Sequence, residues 1–180
     1  MVKVNMMCGK RNFGYDWFHV DAAPFPHIDK NDITLNLWPD ETVDLLYCSH
    51  GIAYFTRDEL KVLLKRWYDV LTPGGTLRLA TPDFKILAYL FNAGKCELKE
   101  ILGPVYGQMK MGTQTIYHKT GYDFNDLEAL LSEDGFKDVE RYNHWETEHP
   151  NTGDRNDFFD DHSAAYINGT LISLNVQCKK

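Results

Sequence analysis

The segment from Val43 to Cys48 constrains the fold of this chain most strongly. It reads Val-Asp-Leu-Leu-Tyr-Cys and is almost continuously apolar, which is typical of a central strand in a parallel sheet. A helical pattern follows, which begins with Thr56 and Glu59 in capping-box spacing and ends before Pro73-Gly74-Gly75. The residues from Thr76 to Thr81 have the pattern of another strand. This alternation predicts an α/β fold with a mainly parallel sheet.

The rest of the chain continues the alternation. Residues 95–122 are expected to be irregular, since they contain five Gly or Pro residues, and we interpret them as a substrate-facing lid. A weak strand near residues 27–35 is limited by Pro24 and Pro26. The other predicted elements are strands at 2–7, 17–20, 136–145 and 170–178, and helices over 84–91 and from Asp123 to Gly135.

The composition argues against several classes of protein. The 180 residues suit one domain, 1–180, and 43% of them are apolar. Nineteen basic and 26 acidic residues give a net charge of −7, which argues against long nucleic acid as a partner. Apolar runs are too short for a membrane span or a signal peptide. The four cysteines form no CxxC pair, so we expect free thiols in the cytoplasm and no zinc site.

Candidate binding residues follow from the topology. Open parallel sheets bind ligands beyond the carboxyl ends of their strands. The residues at these ends are Cys8-Gly9-Lys10, Asp21 and Ser49-His50.

Several segments together carry a family resemblance. They resemble the class I S-adenosylmethionine-dependent methyltransferases, and most closely the small methyltransferase-like proteins whose substrates are mostly unassigned. Each motif alone is weakly specific, but they occur in the right order and span almost the whole chain. The resemblance implies a Rossmann-like methyltransferase sheet, mostly parallel with an antiparallel last strand, and S-adenosylmethionine as cofactor. The segments are Val4–Gly9, Trp17–Asp21, Asn31–Ile33, Val43–His50, Leu71–Ala80 and Tyr122–Phe136.

The resemblance also implies roles for individual residues. Gly9 would let the cofactor approach the backbone. Asp21 would accept hydrogen bonds from both ribose hydroxyls, a task that suits a carboxylate. Asp32 would bind the adenine amino group, Ile33 the ring, and Ser49 would face the methionine half. The alternatives are a turn or capping role for Asp21, a solvated loop acid at Asp32 and a strand-end cap at Ser49.

Two other nucleotide-binding motifs were compared. A nicotinamide site requires G-x-G-x-x-G, whereas this chain has Cys8-Gly9-Lys10-Arg11-Asn12-Phe13-Gly14. A P-loop sequence is absent. Both motifs therefore fit this sequence less well than the methyltransferase does.

The sequence departs from the family pattern at two places. Asn5 stands where an acidic residue is usual and Met7 where a glycine is usual, and both changes would weaken cofactor binding. Asn5 still offers hydrogen bonds and is kept as a cofactor-binding residue. After His50, Ala53 and Tyr54 replace the acid and second histidine of related sequences.

The connections are also short. Only the nine residues Cys8 to Asp16 join the first two predicted strands, too few for a helical crossover. We therefore expect reduced helices on one face of the sheet, which a homodimer would cover.

Candidate acid–base groups are His50 and the Tyr117-His118 pair. The alternative for His50 is a hydrogen-bonded structural histidine, and for Tyr117-His118 an ordinary surface loop. No metal is expected, since the remaining His and Asp residues match no compact ligand motif. Those residues are His144, His149, Asp154, Asp157, Asp160, Asp161 and His162.

Two functions remain open. The first is a methyltransferase that uses S-adenosylmethionine and acts on a small-molecule or sugar-like acceptor. The second is a catalytically silent adenosyl-binding or partner-binding module with the same fold. Met7, Ala53 and Tyr54 keep the second hypothesis open.

Overall fold

Strands and helices alternate along the chain in this computed structural model, which describes residues 1–111, 113–148 and 165–180. The strands are β1 (Lys3–Met6), β2 (Phe18–Val20), β3 (Val43–Ser49), β4 (Leu71–Pro82), β5 (Met109–Met111), β6 (Gln114–Ile116), β7 (Lys137–Arg141), β8 (Tyr166–Ile167), β9 (Thr170–Leu171) and β10 (Ser173–Lys179). The helices are α1 (Arg57–Val70), α2 (Phe84–Asn92), α3 (Leu98–Tyr106) and α4 (Phe124–Glu133), with 3₁₀ turns at Ile52–Tyr54 and His144–Glu146.

A six-stranded sheet has the order β2-β1-β3-β4-β10-β7. Strand β1 is parallel to both β2 and β3, and β3 is parallel to β4. The last strand, β10, is antiparallel to β4 and to β7. The predicted sheet, mostly parallel with an antiparallel last strand, is confirmed.

Helices α1 and α4 begin at the predicted caps. Thr56 accepts from the Glu59 N–H, and the Glu59 side chain accepts from the Thr56 N–H, which completes a capping box. Asp123 accepts from the Asp126 N–H at 3.0 Å. These local bonds explain why the bounds of both helices were readable from sequence.

Both helices pack on the same face of the sheet. Their apolar side chains join alternate strand residues in the main core, because side chains alternate between the two faces of a strand. The opposite face carries a smaller cluster of Trp17, Leu45 and Tyr47, with Phe13 against it, and no described helix contributes to it. The prediction of reduced helices on one face therefore holds for the described residues. The main core includes Val4, Met6, Leu46, Cys48, Leu77 and Leu79 from the strands, and Leu60, Leu64, Trp67, Leu127 and Leu131 from the helices.

Two local predictions are wrong. The described residues 27–35 form no strand; a single bridge between Val20 and Lys30 remains, and successive turns occupy the segment. Residues 95–122 contain α3 and the β5–β6 hairpin rather than only irregular chain. Helix α3 contains Pro104, which removes one backbone N–H donor from the helix.

Candidate functional site

The side chain of Asp21 joins the ends of β1 and β2. Its Oδ2 atom accepts a 2.8 Å hydrogen bond from the Gly9 N–H, and its Oδ1 atom accepts one of 2.7 Å from the Ala23 N–H. Asn31 donates from Nδ2 to the Asp21 carbonyl at 3.1 Å. Gly9 has a positive φ of 57°, and a Cβ placed there would meet nothing within 4 Å, so open space lies in front of it. Asp21 is 9% exposed, its bond with the Ala23 N–H gives it a turn role, and its predicted contact with the ribose hydroxyls stays a prediction.

Two buried polar groups face this edge of the sheet without a protein partner. Among the described residues, neither Asn5 Nδ2 nor Ser49 Oγ has a hydrogen-bond partner. Asn5 is 2% exposed and Ser49 is 7% exposed. Asn5 lies opposite Tyr47 in the β1–β3 register, two residues before Ser49, so both side chains lie on one face near the strand ends. Buried polar groups without partners are rare and mark a position where a ligand or water is expected.

Strained backbone marks the same edge. Met7 and His50 follow the ends of β1 and β3, and their φ values are 53° and 55°, in the left-handed region that non-glycine residues rarely adopt. Gly51 accommodates Met7: a Cβ on Gly51 would lie 2.6 Å from Met7 Sδ and 2.7 Å from Cys48 Sγ. The Met7 side chain packs against the main core, so it is held among core residues.

Asp32 closes a turn. Its carboxylate accepts hydrogen bonds from the N–H groups of Thr34 and Leu37, both at 3.1 Å, and from the Thr34 hydroxyl. Partial burial acts to raise the pKa of Asp32, but these hydrogen bonds outweigh it and hold the pKa below its ordinary value. Ile33 packs against the main core. Asp32 therefore stabilises a turn in the structure, and its predicted contact with adenine stays a prediction.

Cys8 is a buried thiol beside a histidine pair. Its Sγ lies 3.8 Å from His27 Nε2, and burial, followed by the charge of Asp21, raises the pKa of Cys8 to about 12. A thiol with this pKa stays protonated and is a poor nucleophile. His19 accepts a 2.8 Å hydrogen bond from the Phe13 N–H at Nε2, so that nitrogen carries no proton.

Lys10 is exposed and lines a groove of about 1080 Å³ beside β2, together with Lys3 and Trp17. Neither Asp21 nor Ser49 lines this groove. This groove is therefore distinct from the strand-end site.

His50 is held by the last strand. Its Nε2 lies 3.2 Å from Ser173 Oγ of β10, and its N–H donates to the Ala80 carbonyl at 2.7 Å. Ser173 was missed by sequence reasoning, because only the antiparallel pairing of β10 with β4 brings it here. The predicted catalytic role of His50 stays a prediction.

His118 packs inside residues 95–122, for which we keep the name lid. Its Nδ1 lies 3.1 Å from the Pro104 carbonyl, and a Cβ on Gly107 would lie only 2.0 Å from its Nε2. Burial lowers the pKa of His118, which favours the neutral ring. Its neighbour Tyr117 is 50% exposed, and Gln108 donates to its hydroxyl at 3.5 Å. The predicted catalytic and substrate-binding roles of the pair stay predictions.

Ala53 and Tyr54 connect the lid to the site. The Ala53 carbonyl accepts from the N–H groups of Lys119 and Thr120 at 2.8 and 3.3 Å. The Tyr54 hydroxyl donates to the Gly107 carbonyl at 2.5 Å, and its ring lies edge-on to His118 at 4.6 Å. Ala53 and Tyr54, two of the positions that depart from the family pattern, thus bind the lid beside the end of β3.

The described residues contain no group of His, Cys, Asp and Glu side chains that could hold a metal ion. His149, Asp154, Asp157, Asp160, Asp161 and His162 lie outside the described residues. In the described part of the chain, no helix has the length and apolar character needed to cross a bilayer.

Comparison with known proteins gives a consistent result. Residues 17–79 match a family model described as a methyltransferase domain. No curated protein matched by sequence. A methyltransferase from Archaeoglobus fulgidus described as SAM-dependent has a TM-score of 0.59 at 15% identity, with 99% of this chain and 86% of that one covered.

Two further solved structures resemble the chain. The 1,6-didemethyltoxoflavin-N1-methyltransferase of Burkholderia thailandensis, with bound 1,6-didemethyltoxoflavin and S-adenosylhomocysteine, has a TM-score of 0.56 at 13% identity, with 99% of this chain and 70% of that one covered. A Haloferax volcanii putative methyltransferase complexed with the Trm112 activator has a TM-score of 0.54 at 11% identity, with 99% and 81% covered. Identities this low show a shared fold.

The fold and the domain match agree. The predicted resemblance is confirmed: the chain has the fold of the class I S-adenosylmethionine-dependent methyltransferases, and its residues 17–79 match a methyltransferase domain.

Proposed function

We propose that this protein transfers a methyl group from S-adenosylmethionine to a small-molecule or sugar-like acceptor. The observation that carries the proposal is the buried carboxylate of Asp21, hydrogen-bonded to the Gly9 N–H at 2.8 Å beside open space at the ends of β1 and β2. An acid at this point suits a ligand with two vicinal hydroxyls.

The surrounding residues fit the rest of the cofactor. The unpartnered Asn5 Nδ2 and Ser49 Oγ both offer hydrogen bonds at the methionine end. Ile33 offers an apolar surface on the adenine side, where Asp32 and Asn31 precede it. Cys8 and Lys10 flank Gly9, with the thiol protonated and the lysine exposed.

Methyl transfer requires the protein mainly to align the cofactor with the acceptor. S-adenosylmethionine supplies an activated methyl group, which is transferred to an oxygen or nitrogen of the acceptor. We assign His50 to take the proton that this atom releases, because its ring follows β3 and contacts Ser173 at 3.2 Å. His118 and Tyr117 are assigned to the acceptor side, on the lid that Tyr54 docks.

Two observations support a small acceptor. The net charge of −7 disfavours long nucleic acid. The Burkholderia thailandensis neighbour is named as a methyltransferase of 1,6-didemethyltoxoflavin and was solved with that compound.

Calorimetric titration with S-adenosylmethionine and S-adenosylhomocysteine tests the proposal. We expect saturable binding by the wild type and at least a tenfold loss in Asp21→Ala. No heat of binding at millimolar concentrations of either compound would refute the proposal. Methyl transfer from radiolabelled S-adenosylmethionine to a panel of hydroxyl and amine acceptors would then identify the acceptor class.

A second candidate is a silent adenosyl-binding or partner-binding module. The left-handed Met7, where the family has glycine, favours it, since this strain is located in the cofactor loop. The Haloferax volcanii neighbour, solved with an activator protein, is a precedent for a partner. In this candidate, a homodimer covers the open face of the sheet. Sedimentation analysis tests whether the dimer forms.

A further inference from the structure

The crossover between β2 and β3 has to be held in place without regular structure. It runs from residue 21 to residue 42 and contains no helix or strand, although every residue in it is described. Long connections of this kind are unusual within a compact domain. Turns satisfy some of the crossover's backbone carbonyls, as where the Leu35 carbonyl accepts from the Trp38 N–H at 3.1 Å, and side chains supply further donors.

Arg66 of α1 supplies those donors. Its Nε donates to the Leu35 carbonyl at 3.2 Å, and its Nη2 donates to the Trp38 carbonyl. Its Nη1 forms an ion pair with Asp40. One guanidinium thus binds three points between residues 35 and 40, which its rigid fork of donors allows and a lysine ammonium does not.

One residue, Leu37, links the contacts of Arg66 to Asp32. Leu37 lies between the two carbonyls that Arg66 binds, and its N–H donates to the Asp32 carboxylate at 3.1 Å. Leu35 is fully buried in the main core and has a positive φ of 56°. Its burial holds the beginning of the segment 35–40 in place. Trp38 also packs against the main core and against Phe18, so Arg66 adds the polar contacts of a segment that apolar contacts hold as well.

We infer that Arg66 is a positioning residue for the adenine side of the cofactor site. It acts through Leu37 and Asp32 and contacts no reacting atom. The inference rests on the proposed function, because the resemblance assigns adenine recognition to Asp32 and Ile33. It adds a determinant on a helix that has no assigned part in cofactor binding.

A matched control lies on the same helix. Arg57 of α1 forms a bidentate pair with Asp126, at 2.9 and 2.7 Å, and also donates to the Gly121 carbonyl. It therefore makes a similar number of bonds but does not contact the crossover. The variants are Arg66→Met, Arg66→Lys and Arg57→Met in the full chain.

The first measurement needs no cofactor. Hydrogen–deuterium exchange of peptides spanning residues 31–41 is expected to accelerate about tenfold in Arg66→Met and less in Arg66→Lys, while the β4 peptides remain unchanged. Arg57→Met should leave residues 31–41 at the wild-type rate. Unchanged exchange of residues 31–41 in Arg66→Met overturns the inference.

The second measurement reads adenine recognition. S-inosylhomocysteine has an oxo group in place of the exocyclic amino group of S-adenosylhomocysteine and a proton on N1, so the ratio of their dissociation constants reports contacts to that edge of the base. We expect the wild type to prefer the adenosyl compound about tenfold, Arg66→Met to lose most of that preference, and Arg57→Met to keep it. Faster exchange with the preference intact overturns the link to adenine. Absence of binding by the wild type refutes the proposed function itself and, with it, the adenine role of Arg66.

Discussion

The Gly9 N–H donates a 2.8 Å hydrogen bond to the carboxylate of Asp21. This bond ties the loop after β1 to the end of β2, although no helix among the described residues connects the two strands. In a crossover this short, a side chain has taken over the positioning that a packed helix provides elsewhere.

Replacing Asp21 with alanine is expected to lower both binding and stability. The Gly9 and Ala23 N–H groups lose their buried acceptor, which costs about 1–3 kcal/mol of unfolding free energy. Affinity for S-adenosylhomocysteine should fall at least tenfold, as measured by calorimetry. Asp16→Ala changes an exposed acid in the preceding loop and serves as the control, with both quantities unchanged. Unaltered binding in Asp21→Ala would remove the ribose assignment.

Glycine should be better than alanine at position 7. Both Met7→Gly and Met7→Ala remove the packed thioether, but only glycine adopts a φ of 53° without strain. Left-handed backbone costs an alanine about 1–2 kcal/mol, so Met7→Gly should have the larger unfolding free energy of the two. Urea denaturation of the pair measures this difference. Equal unfolding free energies, or a larger value for Met7→Ala, would contradict backbone strain at position 7.

The lid depends on Gly107. Its φ of 53° and the 2.0 Å approach of a Cβ to His118 Nε2 leave no room for a side chain, so Gly107→Ala should displace the His118 ring. We expect a loss of about 2 kcal/mol or more in unfolding free energy, from overpacking together with backbone strain. Limited proteolysis should also cut residues 98–118 faster.

Gly103→Ala is the matched control for this lid prediction. A Cβ there meets nothing within 4 Å, and the residue lies in α3, where alanine is the better helix former. It should be neutral or slightly stabilising. Equal behaviour of the two alanine variants would show that the His118 contact does not hold the lid.

His19 should make stability depend on pH between about 7 and 5. Burial first, and then the neighbouring His27, lower the pKa of His19, while Asp29 opposes the shift. With a folded-state pKa below the unfolded value, the unfolded chain binds more protons, so stability is complete above about pH 6.5 and falls as the pH drops below it. Protonation at Nε2 would also end its bond with the Phe13 N–H.

Denaturant unfolding at several pH values measures this dependence. The slope between pH 7 and 5 should be smaller in His19→Asn than in the wild type. An identical slope in the two proteins would assign the pH dependence to other groups.

Some of this architecture follows from local patterns. The capping box at Thr56 and Glu59 and the cap at Asp123 set helix starts through bonds within one turn, so α1 and α4 were predictable. The crossover was predicted less well. Apolar residues within 27–35 suggested a strand, but Asp32 binds Thr34 and Leu37 instead and curls the chain into turns.

The candidate site, too, was only partly predictable from the sequence. The positions of Gly9, Asp21 and Ser49 at strand ends were predictable, because parallel strands bring their carboxyl ends to one edge. The partners of these and neighbouring residues were not. Ser173 reaches His50 from 123 positions away in the sequence, and no periodic pattern signals such a contact.

The sequence by itself determined the alternation of strands and helices, the helix caps and the edge of the sheet at which the parallel strands end. These features depend on periodicity and on bonds between close neighbours in the chain. The tertiary structure alone decided that Arg66 holds the crossover, that Tyr54 docks the lid on Gly107, and that Gly51 makes room for Met7. Each of these is a contact between segments that are separate in sequence, and only the packed fold brings their atoms within bonding distance.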